Sequence, residues 1–259
     1  MTYLPHQPRP REMVAVTFVG AGPGAAEHLT LGALRAIEAA EVVIHDRLVG
    51  DEVLALIPAG ALRLDVGKEG FGPSTTQAQI NAVLVAQAMT GRRVVRLKGG
   101  DCGIFGRLDE EVEALEAAGL SYRIQPGLTS ASVAAAAIGQ SLTRRGRNAA
   151  LRIVTGHDMA GFAEQDWRGL ARAGEVAAIY MGKKSARFIQ GRLMMHGADG
   201  ATPVTIVENV SRPDQQVIAA TLGTLPEAVA RCGGPAVILF GLAPRAAVSA
   251  IPALKEARA

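Results

Sequence analysis

RRVVRLKGGDCGIFGR, residues 92–107, decides the fold of this chain. An apolar run ending at Leu97 opens at once into Gly99, Gly100 and Asp101, and then Gly103 and Gly106. The pattern reads as a buried strand whose carboxyl end becomes a loop almost without side chains. Such a loop lets backbone amide and carbonyl groups approach a small ligand closely. In open α/β sheets, ligands sit at the carboxyl ends of strands. A second loop of this kind, GAGPG at 20–24, follows the apolar run VAVTFVG at 14–20. Two such loops on separate strands carry more weight than either alone.

Outward from these loops, strand-like and helix-like segments alternate. Residues 29–41 have apolar positions at helical spacing behind Thr30, a cap residue. Residues 42–46 and 62–67 read as short strands, 74–91 as a capped helix ending at a glycine. Residues 108–119 read as a helix with acidic residues in its first turn, which suits the helix dipole. Residues 121–127 read as a strand stopped by Pro126. This alternation predicts a mainly parallel sheet with helices on both faces. The pattern then restarts, with a small-residue helix after Thr129 and strands at 150–156, 175–182, 202–209, 215–225 and 235–241. The strand at 215–225 is expected to pair antiparallel. The expected division is an N-terminal extension at 1–13, α/β domains at 14–126 and 127–245, and a tail at 246–259.

The bulk properties exclude several classes. The chain has 259 residues, 49% hydrophobic and 20% charged, as in a globular enzyme. Aromatics make up only 4%, which argues against base-stacking surfaces, and the net charge of +3 does not suggest a nucleic-acid coat. It suits an anionic small substrate if Arg96, Lys98, Arg107, Arg144, Arg145 and Arg147 converge on one cleft. A solvated basic face is the plainer alternative. Cys102 and Cys232, the two cysteines, are too few for a disulfide framework or a four-thiolate metal site. Cys102 reads as a small filler. The first residues lack the apolar core of a secretory signal, and no stretch is long and apolar enough to span a bilayer, so the expected location is cytoplasmic.

Gly20, Gly22 and Ala25 fit G-x-G-x-x-A after a strand, with Asp46 closing the next, as in dinucleotide-binding proteins. Taken alone that motif is weak. Residues 20–24 with 29–49, and then DVGKEG, RLKGGD, IFGR, PGLTSA, LTRRG, VTGH, YMG and VEN, make a more specific pattern. In this order, they resemble the tetrapyrrole methylase family over nearly the whole chain, and within it the uroporphyrinogen III C-methyltransferase branch.

The resemblance implies two α/β domains with mainly parallel or mixed sheets and a cofactor cleft between them, usually in a homodimer. It implies S-adenosyl-L-methionine as methyl donor, S-adenosyl-L-homocysteine as its product, and no metal. The implied reaction is two successive methylations of uroporphyrinogen III, at C2 and C7, giving precorrin-2 for sirohaem and cobalamin biosynthesis. The family's donor contacts fall on Pro23, Gly99, Gly100, Asp101, Ile104, Thr129, Ser130, Met181, Val210 and Ala236. Asp46 resembles the family's proton acceptor and Lys68 its proton donor. Arg107, Glu110 and Arg145 match residues near the substrate; arginine suits its many carboxylates.

Plainer roles stand beside these: a loop cap for Asp101, a pair with Arg47 or a turn cap for Asp46, surface pairing for Arg107, Glu110 and Arg145, and a core position for Met181. His157 and Trp167 read as structural. The chain departs from the family pattern at Ala25, Cys102, Gly103, Leu108, Asp109 and Val210, which bears on the cofactor loop more than on the reaction class. The dehydrogenase domain of fused relatives is not expected in this chain, so oxidation and metal insertion would fall to other proteins. The rival readings are an NAD-dependent oxidoreductase, a methylase of the same fold acting on a later corrin, RNA or protein, and a non-catalytic anion-binding module.

Overall fold

The computed structural model describes residues 14–67, 76–158 and 161–245. They fall into two units, Met1–Ala21 with Leu29–Gly127, and Gly22–His28 with Leu128–Ala259. The segment Gly22–His28, inside the GAGPG loop region, thus clusters with the second unit.

The first unit runs β1 (Val16–Gly20), α1 (Leu31–Glu38), β2 (Val42–His45), α2 (Asp51–Leu54), β3 (Leu62–Asp65), α3 (Gln77–Ala88), β4 (Val94–Lys98), α4 (Leu108–Ala117) and β5 (Tyr122–Gln125). The five strands form one sheet in the order β3-β2-β4-β1-β5, with every pair parallel. The inner strands are buried throughout β2 and β4 and nearly so in β1, as expected of strands covered on both faces. The chain leaves β1 toward β2, passing β4, and leaves β4 toward β5, passing β1. Right-handed crossovers running in opposite directions put α1 and α4 on opposite faces. The carboxyl ends of β1 and β4 therefore flank the topological switch point, where such sheets leave a crevice. Both glycine-rich loops begin there.

Local chemistry fixes the helices. Thr30 Oγ1 accepts from the Ala33 N–H and starts α1. Thr76 and Gln79 make a reciprocal capping box at α3, whose Ile80, Leu84 and Ala88 form the buried stripe. The G-x-G-x-x-A segment does not build a dinucleotide loop. After Ala25 the chain makes a 3-10 turn at Ala26–His28, and α1 begins only at Leu31, so no helix N-terminus follows the glycines directly.

Three backbones meet at the strand ends. A Cβ on Gly20 would lie 2.6 Å from the Gly127 Cα and 2.9 Å from the Gly100 carbonyl oxygen, and one on Gly127 would run into that same oxygen. Gly100 itself has φ +72°. The glycines here let β1, β4 and β5 converge.

The second unit runs α5 (Ser130–Ala137), β6 (Arg152–Thr155), β7 (His157–Asp158), β8 (Gly161–Phe162), α6 (Trp167–Leu170), β9 (Ala177–Tyr180), α7 (Ala186–Met195), β10 (Pro203–Glu208), β11 (Gln216–Thr221), α8 (Leu225–Val229) and β12 (Ala236–Phe240). Its sheet has the order β11-β10-β12-β9-β6, and β7 pairs with β8 in a small ribbon. Only β6 and β9 pair in parallel; β12 runs against β9 and β10, and β11 against β10. The restarted pattern of the sequence thus gives a mixed sheet, with β11 antiparallel as expected. The strand expected over 215–225 ends at Thr221, because Thr221 and Thr224 cap a 3-10 turn at Leu222–Thr224 that leads into α8, where Pro226 sits in the first turn. Trp167 is buried in this unit's core and meets Phe188 edge-on, a structural role.

Candidate active site

Asp46 follows β2, and its N–H donates to the Leu97 carbonyl at 3.2 Å, which holds it beside the end of β4. Its carboxylate reaches the neighbouring strand β4. Oδ1 accepts from the Arg96 guanidinium at 2.6 Å, and Oδ2 lies 3.9 Å from Lys98 Nζ. Arg96 and Lys98 stand on the same face of β4, since they are two residues apart. Glu111, on the inward stripe of α4 with Leu115, receives both cations. Arg96 donates to it through Nε at 2.8 Å and through its second arm at 3.0 Å, and Lys98 donates at 2.5 Å.

The result is a four-membered ionic cluster of two cations and two carboxylates. Arg96, Lys98 and Glu111 are buried, whereas the Asp46 side chain is 31% exposed. Burial alone would raise the Glu111 carboxyl, but the Arg96 guanidinium and the Lys98 ammonium overcome it and hold the group below the usual carboxylate range. Burial would lower Arg96, but Asp46 and Glu111 outweigh it and raise it. The six basic residues of the sequence reading do not form one substrate-facing set. Arg96 and Lys98 are interior and already neutralised, and Arg147 is spent on the Ser141 carbonyl and the Asn148 side chain.

Asp101, the third residue after β4, ties its own loop. Oδ1 accepts from the Gly103 N–H and Oδ2 from the Gly127 N–H, both at 2.9 Å. Gly99 is half-buried and Gly100 buried, while Ile104 donates its N–H back to the Asp101 carbonyl at 3.3 Å. Cys102 is fully buried, and burial pushes its thiol up to about 12, so it is the expected filler. Arg107, with φ +52°, precedes α4 and forms a two-pronged pair with Glu110, both contacts at 2.7 Å. That hydrogen-bonded pairing, chiefly, raises Arg107 and lowers Glu110. Lys68 lies outside the described residues.

In the second unit, Thr129 caps α5 and hydrogen-bonds the Tyr180 hydroxyl, which also accepts from the Ala131 N–H at 2.9 Å. This joins Thr129 and Ser130 to the end of β9, where Met181 has φ +52° and is exposed rather than in the core. Ala236 opens β12 opposite Glu208, and Asn209 donates to the Pro235 carbonyl at 2.8 Å. Val210 is buried at that corner between Asn209 and Ser211, both with positive φ. Pro23 is buried in a loop where the Ala25 N–H donates to Ser211 Oγ at 3.0 Å. Arg145 is exposed in the turn that bridges Arg144 and Asn148.

The Arg96–Lys98–Glu111 cluster was missed from sequence. Its signal was present: two cations at alternate positions of an apolar strand, and an acid in place of an apolar residue on the inward stripe of the next helix. Among the described residues, no group of metal-ligating side chains could hold an ion, and no helix is long and apolar enough to cross a membrane.

The sequence profile of the tetrapyrrole (corrin/porphyrin) methylases matches residues 15–226. A siroheme synthase of Aeromonas hydrophila is 44% identical over 226 residues, covering 87% of this chain and 48% of that protein. One from Edwardsiella ictaluri is 44% identical over 232 residues, covering 90% and 50%. The chain thus spans about half the length of the curated relatives it matches. Among solved structures, uroporphyrin-III C-methyltransferase of Thermus thermophilus, complexed with S-adenosylhomocysteine, superposes with a TM-score of 0.74 at 35% identity, covering 87% of this chain and 91% of that one. A cobalt-precorrin-4 methyltransferase shares the fold, with a TM-score of 0.77 at 24% identity. With the profile spanning most of its length and both α/β units present, the chain belongs to the tetrapyrrole methylase family.

Proposed function

We propose that this chain is an S-adenosyl-L-methionine-dependent C-methyltransferase that converts uroporphyrinogen III to precorrin-2 by methylating C2 and then C7. The observation that carries the reading is the half-open Asp46 carboxylate beside the side-chain-poor ends of β1 and β4, at the switch point of the first sheet. The Thermus relative, with its bound S-adenosylhomocysteine, supports the donor and the substrate class.

The residues present fit the donor. Gly99 and Gly100 offer backbone groups with no side chain to screen them. Each Asp101 oxygen accepts one backbone N–H and keeps lone pairs for an ammonium or a hydroxyl. The two cations nearest the strand ends, Arg96 and Lys98, are neutralised internally and do not repel a cationic ligand. When bound, the donor supplies an electrophilic methyl on a good leaving group, so in-line positioning is the protein's main task. Gly99, Gly100, Asp101, Ile104 and Pro23, with Thr129, Ser130, Met181, Val210 and Ala236, are assigned to holding it.

Asp46 takes the proton that the macrocycle must lose after the new carbon–carbon bond forms. Oδ1 is engaged by Arg96, so Oδ2 is the atom left to receive it. Lys68 is assigned the return of a proton. Arg107 and Arg145 are assigned to substrate carboxylates and Glu110 to pyrrole N–H groups; substrate contact then competes with the Arg107–Glu110 pair. The reading includes a cytoplasmic homodimer, and sedimentation tests the dimer.

Incubation with uroporphyrinogen III and S-adenosyl-L-methionine, followed by mass analysis, tests the assignment. A gain of two methyl groups supports it. Unchanged tetrapyrrole from protein that binds S-adenosyl-L-homocysteine rejects the substrate. Binding of NAD in its place rejects the donor.

A further inference from the structure

We infer that Arg96 is a positioning residue for Asp46: anchored on Glu111, its guanidinium fixes the Asp46 carboxylate by one oxygen and so sets which oxygen meets the substrate. This deepens the proposed function and rests on the reading of Asp46 as the proton acceptor.

Asp46 lies one residue past β2, at the mouth of the sheet, and its side chain is partly open. A short carboxylate in such a place samples several orientations unless a partner holds it. Arg96 is that partner, at 2.6 Å, and it comes from the neighbouring strand β4, paired with β2 throughout.

Arg96 cannot swing freely, because all three of its nitrogens are engaged. Nε and the second arm grip both oxygens of Glu111, and the remaining nitrogen donates to the Leu97 carbonyl at 3.2 Å. Glu111 is held in turn by Lys98 and, at 3.5 Å, by Gln77 from α3. The carboxylate at the mouth is therefore tied to α3, α4 and β4 through a planar fork that makes four hydrogen bonds, at least one from each of its nitrogens. A lysine at this position has one nitrogen and cannot form the fork to Glu111 while also reaching Asp46. Lys98 does not replace Arg96, since it stands 3.9 Å from Oδ2 and is drawn to Glu111.

The charges agree with this role. With Asp46 ionised, the cluster balances two cations with two carboxylates. Arg96 is thus not a free cation waiting for a substrate carboxylate; it acts through Asp46.

The test is a double-mutant cycle on the full chain, with Arg96→Lys, Asp46→Asn and both together. It reads kcat and KM with uroporphyrinogen III, and S-adenosyl-L-homocysteine affinity by calorimetry. Misplacing a reacting group by about an ångström costs up to about a hundredfold in rate. Arg96→Lys is therefore expected to lower kcat roughly tenfold to a hundredfold, with KM and S-adenosyl-L-homocysteine binding held within about twofold. In the Asp46→Asn background the same change should cost nothing further, because residues acting as a unit are not additive. Equal losses in both backgrounds, or a wild-type kcat for Arg96→Lys, overturn the inference. Full activity in Asp46→Asn overturns instead the reading of Asp46 on which it rests. If Arg96→Lys does not fold, Glu111→Asp pulls the anchor back by one methylene and must show the same dependence on Asp46.

Discussion

Replacing Glu111 by glutamine removes one charge and almost no volume, so it isolates the electrostatic role of the buried cluster. Arg96 and Lys98 would then face Asp46 alone, leaving two buried cations with one partly exposed carboxylate. Breaking a buried pair by removing one partner costs about 3–5 kcal/mol, because the remaining charge is uncompensated. That is a large share of the roughly 5–15 kcal/mol that holds a typical domain together. Hydrogen exchange read by mass spectrometry on β4 and α4 peptides suits the measurement. The single tryptophan, Trp167, belongs to the other unit, so its fluorescence does not report directly on this one. Since each 1.4 kcal/mol is tenfold, global-opening exchange in β4 should accelerate by roughly two to four powers of ten.

The pH dependence has a definite sign. The Glu111 carboxyl is held below its ordinary value of 4.5 in the folded chain, so its contribution is complete above that value and is lost as pH falls through the lower, folded one. The gap between wild type and Glu111→Gln should be full at neutral pH and close in that acid window. The double variant Arg96→Met, Glu111→Leu leaves Lys98 and Asp46, one charge of each sign. It should therefore be more stable than Glu111→Gln despite removing more hydrogen bonds. Exchange of Glu111→Gln within about 0.5 kcal/mol of wild type, or a double variant less stable than the single one, would refute the reasoning.

Three further outcomes follow from local geometry. Thr76→Ala removes the reciprocal cap of α3 and should cost about 1 kcal/mol by thermal melting, with methyl transfer intact. Gly127→Ala puts a methyl group against the Gly100 carbonyl and the Gly20 backbone; it should destabilise by about 1–3 kcal/mol and weaken S-adenosyl-L-homocysteine binding measured by calorimetry. Cys102, buried with its thiol pushed up to about 12, should resist a thiol reagent at pH near 8 until the chain is unfolded, as read by mass spectrometry.

The alternation of apolar runs and amphipathic segments made the first unit legible, because a parallel sheet covered on both faces writes itself as apolar strands and capped helices. Thr30, Thr76 and the glycines after β4 are local signals, and the structure uses them locally. The second sheet was harder to read. β10 and β12 are as apolar as parallel strands, and nothing in such a run tells which way its neighbour points. The end of β11 was misjudged for a related reason. In QQVIAATLGTL the apolar Leu222 and Leu225 mask the Thr221–Thr224 cap that turns the chain out of the sheet ahead of Pro226.

The site divides along the same line. Asp46 is legible by its place after a strand and by resemblance, with a pair with adjacent Arg47 or a turn cap as its plainer reading, because adjacency along the chain is all that one dimension supplies. Arg96, which the structure places on it, is fifty positions away and reads in sequence as one of six basic residues that suit an anionic substrate if they converge on one cleft. Whether a cation serves the ligand or the protein depends on whether an acid stands opposite it, and that is settled by the face on which each residue lies. Val94, Arg96 and Lys98 share one face of β4, and Glu111 and Leu115 one stripe of α4. Combining the two periodicities across one crossover therefore predicts the pairing of Arg96 and Lys98 with Glu111. The same combination separates these two from Arg107, whose partner Glu110 lies one position off the inward stripe, at the surface.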